Sequence, residues 1–167
     1  LLFFLFEMDG FLKGKSWHES IFYPLFQSVS TRSGGLVTMD VSVLDESTLL
    51  ILSGLMFIGA SPSSVGGGIR TTTFAIMMLF IYNYARGKRS IKIFKREIHE
   101  EDFVKALLVI SFSVILCFFS TAILLATEEF SMGAIFFEVM SAFGTCGMST
   151  GITADLSVIG KIVIMIL

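Results

Sequence analysis

The chain has 167 residues, of which 54% are hydrophobic and 16% charged, with 18 Phe and a mean hydropathy of +0.83. Ordinary soluble domains run at roughly 45–50% apolar and about 25% charged, so much of this surface must face lipid or another membrane segment. Two cysteines and a net charge of −2 exclude a disulfide scaffold and a nucleic-acid-binding module. The chain opens inside an apolar run (residues 1–6) without Met and stops inside another (residues 162–167). Neither run can cross a bilayer, which takes about 20 residues. The first has no basic flank or small-residue cleavage site and is no signal peptide. The expectation is an internal piece of a larger membrane protein.

In chain order, the first complete apolar segment is residues 17–30, the length of a re-entrant helix rather than a span. It ends in the small and polar run STRSGGLVT. Residues 47–82 follow, and these 36 residues are too long for one span. They read as two apolar halves of about a dozen residues around GASPSSVGGGIR, each half too short to cross alone. Helix-breaking residues at membrane depth are tolerated where protein or a watery cavity satisfies the freed backbone, so a broken helix lining a pathway is expected. Arg86, Lys88, Arg89, Lys92, Lys95 and Arg96 then make up six of the 12 basic residues, and by the positive-inside rule this loop is cytoplasmic. Residues 103–126 form the clearest span, with Lys105 able to snorkel near its start. Residues 132–143 are a second short apolar segment, preceded by Glu128, Glu129 and Ser131, the last a candidate cap. It ends in GTCGMSTGIT, and a further helix begins toward residue 167.

The order is thus the end of a span, a short helix, a Gly loop and a broken helix, then a span, a short helix, a Gly loop and the start of a helix. Phe26 and Ser30 match Phe137 and Ser141 at a separation of 111, and Gly35 and Thr38 match Gly147 and Thr150 at 112. This is one unit used twice in the same orientation. Two parallel units cannot enclose a pore, so further copies are expected.

A short helix followed by T-C-G-M-S is close in pattern to the K⁺-channel filter T-V-G-Y-G, whose backbone carbonyls replace an ion's water shell. A central Gly permits the backbone angles that turn carbonyls to one axis, assigned here to Gly35 and Gly147. Ser33 and Thr145 would stand first in each loop, where a hydroxyl can add an oxygen. Carbonyls are hard ligands suited to alkali cations. The five residues alone equally describe a re-entrant turn that holds no ion.

FQSVSTRSGGLVT, MFIGASPSSVGGGIRTTT and FEVMSAFGTCGMSTGIT, in that order and over essentially the whole chain, resemble the third and fourth repeats of the Trk/Ktr/HKT superfamily of K⁺ transporters, nearest to ion-translocating subunits of the KtrB and TrkH type. The resemblance implies an all-α, multi-pass, K⁺-channel-like membrane protein built from outer helix–re-entrant pore helix–filter loop–inner helix units. Residues 1–83 would hold the end of an outer helix, a pore helix, a filter loop and a broken inner helix. Residues 84–102 would be the basic cytoplasmic loop, and residues 103–167 the next repeat up to the start of its inner helix. It implies an ion-binding filter at Ser33, Gly34, Gly35, Thr145, Cys146 and Gly147, with K⁺ held by the carbonyls of Gly35 and Gly147. It also implies an intramembrane gate loop carried by Gly59, Ser61, Ser63, Ser64, Gly66, Gly67, Gly68 and Arg70. Two departures stand out. The third filter more usually reads T-R-T-A-G-F where this chain has Thr31-Arg32-Ser33-Gly34-Gly35-Leu36, and the gate loop more usually ends in Lys where this chain has Arg70.

For function, the resemblance implies K⁺ uptake across a bacterial cytoplasmic membrane, by channel or symport, driven by the membrane potential or by coupled Na⁺ or H⁺. It implies no cofactor in the chain, with Na⁺ as a candidate coupling ion or activator. The resemblance implies a homodimer embedded in lipid and regulated by a cytosolic nucleotide-binding ring, for which residues 86–96 offer a contact. Arg32 is expected to clamp carbonyls or an acid behind the filter, and Glu138 to pair with such an Arg or lie at the interface. Arg70 would either hold the gate loop or snorkel. Cys117 and Cys146 read as small apolar packers, Trp17, Tyr82 and Tyr84 as interfacial anchors, and His18 and His99 as lying on opposite sides of the membrane. An intramembrane serine protease lacks an embedded base, and the Gly-rich run lacks the Gly-Lys-Ser/Thr of a phosphate loop, so the chain is not expected to be an enzyme. The alternative is a non-conducting assembly or scaffold subunit.

Overall fold

Serine starts the helices at Trp17, Met132 and Val158, aspartate starts the one at Glu46, and glycine ends the one at Phe143, so local chemistry sets several boundaries. The computed structural model describes residues 16–87 except 33 and 39, the backbone of residues 92–93 and 96–97, and residues 100–167. The order is α1 (Trp17–Ser30), a 3-10 turn (Val41–Val43), α2 (Glu46–Phe57) and α3 (Thr71–Ala85), followed by α4 (Glu100–Thr127), α5 (Met132–Phe143), a second 3-10 turn (Ile152–Ala154) and α6 (Val158–Ile166). Between α3 and α4, β1 (Lys92–Ile93) and β2 (Arg96–Glu97) form a two-residue antiparallel ladder pairing Lys92 with Glu97 and Ile93 with Arg96. All other regular elements among the described residues are helical.

A capping box opens α1: the Ser16 amide donates to Glu19 Oε2 at 3.0 Å. The Ser131 hydroxyl accepts from the Ala134 amide at 3.3 Å to start α5, and that of Ser157 from the Gly160 amide at 3.2 Å to start α6. Among the described residues, α4 alone is long and apolar enough to cross a membrane. It exposes Phe112, Phe118 and Phe119 outward and turns Ala106, Cys117 and Leu124 inward. Ser113 and Thr121 spend their hydroxyls on the carbonyls of Val109 and Cys117, which satisfies them inside an apolar helix.

The core sits between α2, α5 and the segment after α5, where Leu52, Met56, Ile135, Phe137, Val139 and Met148 are essentially inaccessible. α4 packs on α3, α5 and α6, while α2 packs chiefly on α5. α3 buries no residue and α1 buries three, Pro24, Gln27 and Ser30. The expected break separates α2 from α3. Residues 58–70 leave the helix and come back, closed by the Ile69 amide donating to the Phe57 carbonyl at 3.0 Å. A Cβ on Gly59 would lie 1.9 Å from the Gly67 carbonyl oxygen, so the limbs of this loop touch backbone to backbone.

Candidate functional site: two glycine loops and the break beneath them

The segments after α1 and α5 are braced alike. Ser30 Oγ donates to the Leu36 carbonyl at 2.6 Å, and Ser141 Oγ donates to the Met148 carbonyl at 2.5 Å. These are the serines matched in the sequence, each bonding just past its loop glycine. Gly35 and Gly147 both have positive φ, +58° and +82°, where an L side chain is strained. Each loop is followed by a 3-10 turn and then by a helix, at nearly the same spacing.

The two loops meet. A Cβ on Gly35 would fall 2.0 Å from the Cys146 carbonyl oxygen, so nothing larger than glycine fits this approach. The Cys146 thiol donates to the Ser30 carbonyl at 3.6 Å, and Gln27 Nε2 donates to Met148 Sδ at 2.8 Å. A Cβ on Gly147 would meet nothing within 4 Å, and one on Gly34 would make ordinary contact with Ser30 Oγ at 3.6 Å. Gly34, Gly35, Thr145, Cys146 and Gly147 thus lie in one neighbourhood. Ser33, assigned to the same site, lies outside the described residues.

The break between α2 and α3 reaches this neighbourhood from the other side. The Gly67 amide donates to Thr145 Oγ1 at 2.6 Å, and the Gly68 amide donates to the Phe143 carbonyl at 3.0 Å. The rings of Phe57 and Phe143 lie 5.6 Å apart beside it, and a Cβ on Gly144 would sit 2.6 Å from the Met56 carbonyl oxygen. The sequence offers the Thr145 hydroxyl as one that can add an oxygen to the loop; in the structure that hydroxyl accepts from the break. Ser61, Ser63 and Ser64 are exposed, Gly66, Gly67 and Gly68 are half-buried, and Gly59 lies against Gly67 and Gly68. Arg70 is the N-cap residue of α3, with an exposed side chain and no side-chain capping bond.

Glu138 departs from the expected arginine pairing. It is 4% exposed and, among the described residues, pairs with no arginine. Its Oε1 accepts from the hydroxyls of Ser149 (2.5 Å) and Thr150 (3.3 Å) and from the Thr150 amide (3.0 Å), while Oε2 accepts from the Thr153 hydroxyl (3.0 Å). Local donors outcompete a distant guanidinium because they need no second charge to be desolvated. Arg32, its expected partner, is exposed. Gln27, which the sequence reading passed over, is fully buried at the matching position of α1. Its signal was there: it aligns with Glu138 at the separation of 111.

Beyond the loops, Glu128 anchors the start of α6 by accepting from the Ser157 hydroxyl (2.5 Å) and amide (3.1 Å). The Ser157 hydroxyl is the main cause holding its carboxyl below the usual range. The Ser42 hydroxyl, then its amide, does the same for Asp40. Cys117 and Cys146 are buried free thiols. Tyr82 is exposed beneath the Arg86 guanidinium, 4.4 Å from its ring. Trp17 and Tyr84 are exposed, the former edge-on to His18. Lys88, Arg89, Lys95 and His99 lie outside the described residues, as do the side chains of Lys92 and Arg96.

The TrkH family, described as a cation transport protein, matches residues 4–167. The chain is 56% identical over 163 residues to the Ktr system potassium uptake protein D of Bacillus subtilis, covering 98% of this chain and 36% of that protein. It is 33% identical over 172 residues to the Ktr system potassium uptake protein B of Vibrio alginolyticus, covering 99% and 37%. It is also 33% identical over 171 residues to the potassium/sodium uptake protein NtpJ of Enterococcus hirae, covering 99% and 38%. The chain therefore spans less than two-fifths of the length of these curated relatives.

Proposed function

The chain belongs to the TrkH family of cation transport proteins, membrane transporters and not enzymes, and on that premise we propose that it forms two of the repeats through which a larger subunit takes up K⁺. Residues 1–83 and 103–167 are the two repeats, and residues 84–102 the cytoplasmic connection. α1 and α5 act as pore helices in a multi-pass protein. The carbonyls of Gly35 and Gly147, with those of their neighbours Ser33, Gly34, Thr145 and Cys146, replace the hydration shell of K⁺. Residues 58–70 act as the gate beneath. A homodimer, a cytosolic nucleotide-binding ring and Na⁺ as coupling ion or activator complete this reading on family grounds.

One observation carries it. Two glycine loops at positive φ touch backbone to backbone, and each is pinned by a serine one residue past its glycine. Pinning the residue after each glycine supports this reading, because a loop ordered before the ion arrives loses less freedom on binding it. The exposed serines of residues 58–70 suit a watery path, since they can bond both water and freed backbone. The test is Rb⁺ uptake by the complete subunit, with its cytosolic partner, in cells lacking their own K⁺ uptake and under competing Na⁺. Uptake should be restored, and Gly147→Ser should abolish it or admit Na⁺. A complete subunit that moves no cation under any of these conditions would instead support the scaffold reading.

A further inference from the structure

Thr145 is a β-branched residue at φ +50°, in the left-handed region that such residues avoid. Glycine would hold that conformation without strain, and glycines stand at positions 144 and 147 on either side. What threonine adds is a hydroxyl, and that hydroxyl accepts from the Gly67 amide at 2.6 Å across 78 residues of sequence. The contact is close on both sides: a Cβ on Gly67 would lie 2.7 Å from Thr145 Cγ2 and 2.8 Å from the Phe143 carbonyl oxygen. The neighbouring Gly68 amide is spent on that same carbonyl. Two consecutive amides of the break are therefore held by the residues leading into the second glycine loop, one by backbone and one by side chain.

We propose that Thr145 is a positioning residue that latches the broken segment to the second glycine loop, so that the break moves away only when the Gly67–Thr145 bond opens. This rests on the reading of residues 58–70 as a gate. Withdrawal leaves the Gly67 amide in need of another acceptor, which water in the pathway supplies. It also frees Thr145 to leave its strained angle, which turns the carbonyl that precedes Cys146. Ion binding and gate position are thereby linked, and the linkage is reciprocal: what holds the carbonyls holds the break.

The test uses the complete subunit in lipid vesicles with a spin label on Val65→Cys, two residues from Gly67 and fully exposed. Thr145→Val keeps the shape and removes the acceptor; it should loosen the label and change the Rb⁺ uptake rate at least threefold. Thr145→Ser restores the hydroxyl and should return both to within twofold of the parent. Thr145→Gly relieves the strain without a hydroxyl, and it should loosen the label as the valine variant does, which keeps the question open to measurement if valine fails to fold. Equal label mobility in the parent and in either hydroxyl-free variant would overturn the latch. Gly147→Ser, run alongside, separates the two ideas. Unchanged K⁺ preference there refutes the filter reading, while the label still decides the latch.

Discussion

The two short helices carry the same brace and differ in what lies behind it. In α5 the buried polar residue is Glu138, whose two oxygens collect donors from Ser149, Thr150 and Thr153, all in its own return segment. In α1 the matching residue is Gln27, which reaches across to Met148 of the other unit and whose Oε1 has no partner among the described residues. α5 is continuous around a fully buried Ile135, whereas α1 carries Pro24 at the matching place and loses one backbone donor there. α1 also flanks an apolar hollow of about 470 Å³ lined by Phe22, Leu25, Phe26 and Val29 among others. The buried polar group of α5 is satisfied within its own return segment, and that of α1 reaches across to the other loop. One buried polar position can stiffen its own loop or tie two loops together, according to where its donors and acceptors lie.

The largest difference between the two loops is expected at their glycines. Gly35→Ala meets both a positive φ and the Cys146 carbonyl, so it should remove transport altogether. Gly147→Ala meets the backbone strain alone, about 1–2 kcal/mol, and should leave a reduced but measurable rate in the same uptake assay. Next comes the buried pair. Glu138→Gln weakens charge-assisted bonds worth about 1.5–3 kcal/mol each and should lower the melting temperature of the protein in detergent by several degrees. Gln27→Leu discards an oxygen that is already unpaired and should change stability by less than about 1 kcal/mol. Equal losses for the two would erase the distinction between a locally satisfied Glu138 and a partly unpaired Gln27.

A smaller effect is expected at Glu128. Its folded carboxyl titrates below its unfolded value, so its stabilisation is full above the ordinary carboxylate range and is lost as pH falls through the depressed value. Glu128→Gln should therefore lower the melting temperature at pH 7 and make little difference at strongly acid pH, a crossover visible in paired melting curves. The smallest effect belongs to Arg32. It is exposed and does not pair with Glu138, so Arg32→Gln should shift stability by less than about 0.5 kcal/mol in the same melts.

Much of this arrangement was legible in the sequence because its signals are local. The bounds of α1 and α5 coincide with the apolar runs at 17–30 and 132–143, since a serine precedes each run and small residues follow. The break was readable from Gly, Pro and Ser at a depth where a helix would otherwise continue. α4 starts at Glu100, three residues before the expected apolar start, because an acidic first turn with Lys105 nearby suits a helix N-terminus. The interactions joining separate segments were not legible. Nothing near Thr145 announces that its acceptor serves Gly67. Charge sign alone suggested pairing Glu138 with arginine, although three hydroxyl residues stood 11–15 positions downstream. Gln27 was passed over for a similar reason: an uncharged amide carries no electrostatic flag, and only the internal repeat singles it out.

The most direct test of the central claim, that the two glycine loops bind K⁺ through their carbonyls, is the melting temperature of the complete subunit in K⁺ against choline at fixed ionic strength. Binding to the folded state raises it by mass action. K⁺ should stabilise the parent and the Glu128→Gln variant by the same increment, and that increment should vanish in Gly147→Ser. An undiminished K⁺ increment in Gly147→Ser would contradict the claim.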